Sequence, residues 1–450
     1  MAHHYQYISS IDKAIERGAI IALMNYLTRP LLTILFLGFA SGLPLALTAS
    51  TLSAWLFEAH VDKSAIGLFA AVATPYTLKF LWSPLMDSLR FPLLTRLFGR
   101  RRGWILATQI ALVGNLLLLA VATPDINAWT TACVAFLVSF FSASQDIVID
   151  AYRVETLAPE EQGEGAAMAQ LGYRLGMLAS SAGALYLAAK LGWQATYVIM
   201  SALMGIGIIT TLLAREPKIK QDRGQKAKGF GAWLRESVIA PFIDFMRHPS
   251  WKQILAFIVI YRLADAFIGG MTNPFLLEIG FKKEEISSIV KVYGTIATLL
   301  GTFVGGSLTM RYGVLRVIFL AGLLHAATNL CYVWQAHVGA DNIILAVSTS
   351  LENLTGGIAA AAFVAYLSNL CNVHYTATQY ALLSSLAALG RTLFSTPAGY
   401  IAKQLGWDWF FTLSALLALP GLLLIGTLGR RLVMPRPGTK IAPVRFWKNR

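Results

Sequence analysis

Stretches of about 20 predominantly apolar residues, the length an α-helix needs to cross the hydrocarbon core of a bilayer, recur about twelve times along the 450 residues. They predict spans near 31–49, 64–82, 104–122, 129–150, 166–189 and 195–213, then 252–277, 285–309, 314–336, 341–370, 377–402 and 408–428. Soluble chains carry about 25% charged residues, whereas this one has 13% against 56% hydrophobic. The fold class that follows is an all-α polytopic membrane protein with two six-helix bundles.

The bundles are residues 31–213 and 252–428, joined by the basic linker 214–251. Residues 1–30 form an amino-terminal segment and 429–450 a basic tail. Ile8, Ile11, Ile15, Ile20 and Leu23 recur at helical spacing, which predicts an amphipathic helix on the cytoplasmic membrane surface. Asp12, Lys13, Glu16 and Arg17 interrupt that stretch, so a signal peptide is not expected. With both termini inside, 27 of the 37 lysines and arginines fall in cytoplasmic segments and five (Lys63, Lys190, Lys282, Lys283 and Lys403) outside. That bias predicts an inside-in topology in a bacterial inner membrane.

The same placement explains the net charge of +14 without a nucleic-acid partner, because the cations lie between apolar runs rather than on a soluble face. The three cysteines, Cys133, Cys331 and Cys371, are scattered in apolar segments, with neither disulfide nor metal-ligand spacing. No glycine-rich phosphate loop precedes a helix and no histidine pair has metal-ligand spacing, so neither an enzyme nor a resident cofactor is expected. Trp129, Trp193, Trp251, Trp407 and Trp409 sit near span ends as interfacial anchors.

Ionisable residues inside the spans carry the functional signal, since each is costly in lipid unless it faces a cavity or a partner. They are Lys79, Asp146, Asp150, Arg174, Arg262, Asp265, Lys291, Glu352 and Arg391. Asp146 and Asp150 share one face of span 4, and an Asp146–Arg174 pair across the turn to span 5 is plausible. Such a group is either a structural ion pair or a site whose proton affinity depends on its neighbours. Arg262 and Glu352 each lie about 15 Å from opposite membrane faces, so they could approach one another. Asp146, Asp150, Glu352 and Asp265 are the proton-coupling candidates. Lys79, Arg174, Arg262 and Arg391, with Tyr76, Gln145, Tyr173, Tyr261, Asn353, Gln379 and Tyr380, are the substrate-binding candidates, a set suited to a large hydrated ligand. Asp87 with Arg100, Arg101 and Arg102 is a candidate gate at the cytoplasmic face.

The halves echo one another weakly. Ala151-Tyr152 leads to Gly176, and Ala365-Tyr366 leads to Gly390, at the same interval. Parallel six-helix halves around a central pathway suit a transporter.

Five runs in the first half resemble the AmpG-type muropeptide permeases: residues 38–48 (GFASGLPLALT), 79–87 (KFLWSPLMD), 99–104 (GRRRGW), 142–150 (SASQDIVID) and 172–177 (GYRLGM). In the second half Glu352-Asn353, residues 377–379 (ATQ) and Gly390-Arg391 fit the same pattern. The resemblance implies a major facilitator fold and proton-driven import of N-acetylglucosaminyl-anhydro-N-acetylmuramyl peptides, with a link to β-lactamase induction. It implies the muropeptide and the lipid bilayer as partners and the proton as coupling ion; a monomer is expected. The basic cluster follows Asp87 by 13 residues, a departure from the general facilitator loop. A facilitator for another bulky anion (acyl-CoA-like), a drug exporter and a non-transporting sensor are the competing readings.

Overall fold

The structure, a computed structural model, describes residues 26–61, 69–89, 91–217, 235–269, 271–395 and 397–429. Most of the expected amphipathic segment, much of the linker, the basic tail and the side chain of Lys291 lie outside the described residues.

Span 1 consists of helices Arg29–Thr48 and Ser50–Glu58, spans 3 and 4 of Arg100–Ala120 and Ala128–Thr156, and span 5 begins at Gln162–Leu178. Helix Ala184–Leu213 turns at Gly192 (φ 80°), which divides span 5 from span 6. Span 7 is segmented into Trp251–Tyr261, Leu263–Gly269 and Thr272–Glu278. Span 8 ends in Gly294–Tyr312, and spans 9 and 10 are Val314–Val338 and Asn342–Leu370. Span 11 starts with Thr376–Ser395 and runs into Ala398–Leu417, where Gly406 (φ 73°) marks the start of span 12.

Span 2 departs most from its expectation as one continuous helix. It alternates between 3₁₀ turns at Phe69–Ala73 and Lys79–Leu81 and short helices Thr74–Leu78 and Ser83–Ser88. Pro84 has no N–H to give the carbonyl of Phe80. Ser83 Oγ donates to that oxygen instead, at 3.0 Å. In lipid such a freed carbonyl must find a local donor, and the substitution leaves Lys79 at a break in the helix.

The echo between the halves is a shared backbone plan. Gly99 and Gly313 (φ 92° and 84°) precede spans 3 and 9, and Gly192 and Gly406 open spans 6 and 12. Asn127 and Asp341 cap spans 4 and 10 through their side chains. Each pair is separated by the same 214 positions.

Within the first half, spans 1 and 5 cross at backbone contact. A Cβ on Gly172 would lie 1.9 Å from the carbonyl oxygen of Leu35. The close approach is the use of small residues where helices lack a hydrophobic drive to associate in lipid. Hydrogen bonds between the two halves, from Tyr26 to Phe303, from Arg153 to Ser368 and from Thr378 to Asp87, gather at one end. It is the end from which the linker leaves, and Val154 of span 4 packs there into a cluster otherwise built from the linker and the second half.

Candidate functional site

At the linker end, Asp87 terminates the short helix Ser83–Ser88, where its negative charge opposes the helix dipole. Two partners offset that. Arg101 Nη2 donates to Asp87 Oδ1 at 2.7 Å, and Thr378 donates its backbone N–H and its hydroxyl to Oδ2, both at 2.8 Å. Ala377 N–H adds a longer bond of 3.3 Å. Asp87 thus caps the amino terminus of span 11 from the other half of the molecule.

Behind it, Arg101 is fully buried and also pairs with Glu155 at 2.5 Å, while Arg100 reaches Glu155 at 3.2 Å. Arg102 points elsewhere, to the carbonyls of Thr211 (2.9 Å) and Leu212 (2.6 Å) at the end of span 6. The basic triplet therefore splits: Arg100 and Arg101 build the clasp, and Arg102 ties span 3 to span 6. Glu155, at the end of span 4, completes the clasp.

A second crossing centres on Arg153, which is 1% exposed. Its Nη1 donates to Gln162 (3.1 Å) and, across the halves, to Ser368 (3.0 Å). Its guanidinium lies 5.3 Å from the ring centre of Tyr380 and 3.4 Å from Asp150. Tyr26 closes the same end, donating to the carbonyl of Phe303 at 2.8 Å. Burial pushes the Tyr26 phenol up to about 12, so it remains a donor at any physiological pH. Gln379 is also held here, donating to Pro241 O (3.0 Å) and Asp244 (3.1 Å) and accepting from Asn372 N–H. Gln379 and Tyr380 are thus packing groups of the sealed end rather than free ligands, because their sequence position one turn into span 11 puts them at its buried start.

Deeper in the first half, Asp146 accepts a hydrogen bond from Ser41 of span 1. The expected Asp146–Arg174 pair is not formed. Lys79, released by the break in span 2, is the cation that acts on Asp146, with Asp150 as the neighbouring acid. Tyr76 and Tyr173 lie within the electrostatic reach of Asp146, and Arg174 acts on Tyr173. Gln145 is fully buried, and neither of its amide atoms has a partner among the described residues. Buried polar groups are nearly always satisfied, which sets Gln145 apart from its hydrogen-bonded neighbours.

In the second half the expected Arg262–Glu352 approach is replaced by a longer chain. Arg262 pairs with Asp265 one turn on, at 2.8 Å, across the break in span 7. Asp265 Oδ1 lies 2.9 Å from His325 Nε2, and His325 Nδ1 lies 3.1 Å from Thr355 Oγ1 on span 10. Glu352, one turn before Thr355, accepts from Asn353 Nδ2 at 2.8 Å and from Tyr332 at 3.5 Å. Asn353 in turn accepts from Thr298 of span 8 at 2.9 Å. Arg391 is exposed and acts electrostatically on Asp265. Tyr261 donates to Ile318 O at 3.2 Å and stacks on Phe363, which makes it part of the packing under this chain. Sequence reasoning missed His325. The available signal was its position: an imidazole at the middle of the apolar span 314–336.

Each half therefore holds one polar cluster, and the seal between halves lies at the linker end. A family model for the Major Facilitator Superfamily matches residues 34–269 and 254–448. The anhydromuropeptide permease of Escherichia coli K12 is 43% identical over 396 residues, covering 87% of this chain and 78% of that protein. A Rickettsia felis protein described as putative transporter AmpG 4 is 35% identical over 89% of this chain and 97% of its own. Among solved structures, the E. coli fucose:proton symporter FucP aligns with a TM-score of 0.65 at 14% identity, over 88% of this chain and 97% of that one. The proton:xylose symporter XylE gives 0.65 at 11% identity, over 90% and 96%. At those identities the two structures bear on the fold alone.

Proposed function

Because this chain belongs to the Major Facilitator Superfamily, and within it to the family of the anhydromuropeptide permease, we propose that it imports anhydro-muropeptides across a bacterial inner membrane. It is a membrane transporter and not an enzyme. The linker end is the cytoplasmic end in this reading, with both termini inside, as the distribution of basic residues favours. The imported fragments feed cell-wall recycling, and through them β-lactamase induction.

The observation that carries the substrate is the 43% identity to a named permease along 87% of the chain. The geometry supports it. A muropeptide has an apolar-edged disaccharide and a peptide stem bearing carboxylates, and the polar clusters of the two halves offer Lys79, Arg174 and Arg391 with amides and phenols. A sealed cytoplasmic end with Asp87, Arg153 and Tyr26 across it suits a carrier waiting for substrate from outside.

We propose the proton as coupling ion and Asp146 as a titrating group of the first half, since Ser41 donates to it, Lys79 acts on it and no ion pair among the described residues occupies it. An inward negative potential is worth about 2.3 kcal/mol per charge per 100 mV, so symported protons would carry an anion that the potential otherwise opposes. The protein is taken as a monomer.

The test is uptake of a labelled anhydro-muropeptide into proteoliposomes with and without an imposed proton gradient. Gradient-driven accumulation, competed by unlabelled muropeptide and not by acyl-CoA, is the expected result. Flux of acyl-CoA alone would sink the substrate assignment. Asp146→Asn should keep exchange and lose accumulation; full accumulation in that variant removes Asp146 from the coupling.

A further inference from the structure

We propose that His325 is the proton carrier of the second half, held by Asp265 and Thr355 so that it binds and releases a proton without any heavy atom moving. The inference rests on the reading of the chain as a proton-coupled muropeptide importer, and it assigns a residue that the sequence did not single out.

The hydrogen-bond directions follow from chemistry. An ionised carboxylate only accepts, so the ring nitrogen facing Asp265 Oδ1 at 2.9 Å, Nε2, carries a hydrogen in both charge states. The other nitrogen, Nδ1, faces the hydroxyl of Thr355 at 3.1 Å. That hydroxyl also lies 2.8 Å from the carbonyl oxygen of Leu351 and 3.1 Å from that of Glu352. With His325 neutral, Thr355 donates to the Nδ1 lone pair. With His325 charged, Nδ1–H donates to Thr355 Oγ1, and the hydroxyl proton swings to the Leu351 carbonyl. Both states are fully hydrogen-bonded, so protonation carries no penalty from an orphaned polar atom.

Asp265 is kept as the acceptor by Arg262, whose Nη1 holds its other oxygen at 2.8 Å. The ionisable groups facing the imidazole are Arg262 and Asp265 of span 7, Glu352 of span 10 and, through Asp265, Arg391 of span 11. The phenols of Tyr261 and Tyr332 flank this set on spans 7 and 9. Span 12 presents Ala418 and Leu422. A small cavity lined by Asp265, His325, Gly322 and Leu422 lies beside the ring.

The coupling step is an exchange of partners. When His325 takes a proton from the outside medium, Asp265 gains a second full cation and its hold on Arg262 is shared. Arg262 and the exposed Arg391 then present more positive charge to a carboxylate of the peptide stem. Proton and anion raise each other's affinity, as linkage requires of two ligands coupled through one network. After the halves rock, the proton leaves His325 for the cytoplasm, and the net result is one proton carried inward with the substrate.

The experiment uses full-length protein in proteoliposomes with a labelled anhydro-muropeptide, comparing wild type, His325→Gln and Thr355→Val. Two readouts are taken: counterflow without a gradient, and accumulation driven by an inward proton gradient across pH 5.5–8. His325→Gln should retain counterflow but lose its dependence on pH, and lose at least tenfold in accumulation. Wild-type accumulation in His325→Gln overturns the proposal. If that variant loses both activities, Thr355→Val decides. A charge-assisted bond is stronger than a neutral one, so losing the Thr355 oxygen costs the imidazolium more than the imidazole. Half-maximal accumulation should then move to lower pH, and an unmoved profile overturns the proposal. Absence of counterflow in wild type would instead refute the muropeptide reading itself, which separates the two failures.

Discussion

Replacing Asp87 by Asn keeps the shape of the side chain and removes only its charge. The carboxylate receives Arg101 at 2.7 Å and Thr378 N–H and hydroxyl at 2.8 Å, and its side chain is 5% exposed. Hydrogen bonds to charged groups contribute about 1.5–3 kcal/mol each, and neutral ones about 1. Asn retains one oxygen that can accept from span 11, and Arg101 retains Glu155 at 2.5 Å. The loss from the sealed state is therefore on the order of 2 kcal/mol rather than the sum of the bonds. At about 1.4 kcal/mol per tenfold, the ratio of sealed to open linker end should fall roughly 30-fold. Nitroxide labels at Ile126, on the loop before span 4, and Ile343, in the first turn of span 10, 79% and 76% exposed at the far end of the two halves, would report the change by pulsed electron spin resonance in a variant lacking the three cysteines. Opening of the linker end closes the far end, so the short-distance population should grow. Arg102→Gln is the control, because the Arg102 guanidinium donates to carbonyls of its own half, those of Thr211 and Leu212. An unchanged distance distribution in Asp87→Asn, or an equal shift in Arg102→Gln, would refute the clasp.

Two further outcomes follow from the packing. Arg153→Lys keeps the charge but loses the planar fork that reaches Gln162 and Ser368 while lying over Tyr380. The same label pair should shift in the same direction by about tenfold, and no shift would count against Arg153 as a link between halves. Gly172→Ala forces a Cβ to 1.9 Å from the Leu35 carbonyl, whereas one on Gly114 meets nothing within 4 Å. Overpacking costs about 1–3 kcal/mol, so thermal unfolding in detergent should move down for Gly172→Ala and stay for Gly114→Ala; equal melting would remove the close crossing of spans 1 and 5.

Much of the candidate site was legible as a set of residues and little of it as a set of pairs. Asp146, Lys79, Arg262, Asp265 and Glu352 stand out because a charge in an apolar run is costly wherever the helix goes. Their partners do not, because each side chain could turn either to a neighbour on its own helix or to another span, and only packing decides which. Asp146 meets Ser41, not Arg174. Arg262 meets Asp265, and Glu352 meets Tyr332 and Asn353. His325 escaped notice since a neutral imidazole draws no attention by charge; its meaning comes from the carboxylate beside it.

The number of spans, the division into two halves and the side on which basic loops gather are properties of the chain read in one dimension, since lipid imposes one ruler and one charge rule on every segment. Packing decided the rest. The fragmented course of span 2, the 214-position register shared by the halves and the closure of the linker end through Asp87 and Arg153 depend on what each backbone meets across the bundle. Hydropathy sums apolar transfer over a segment, whereas a hydrogen bond 2.8 Å long depends on two side chains arriving at one place from opposite ends of the sequence.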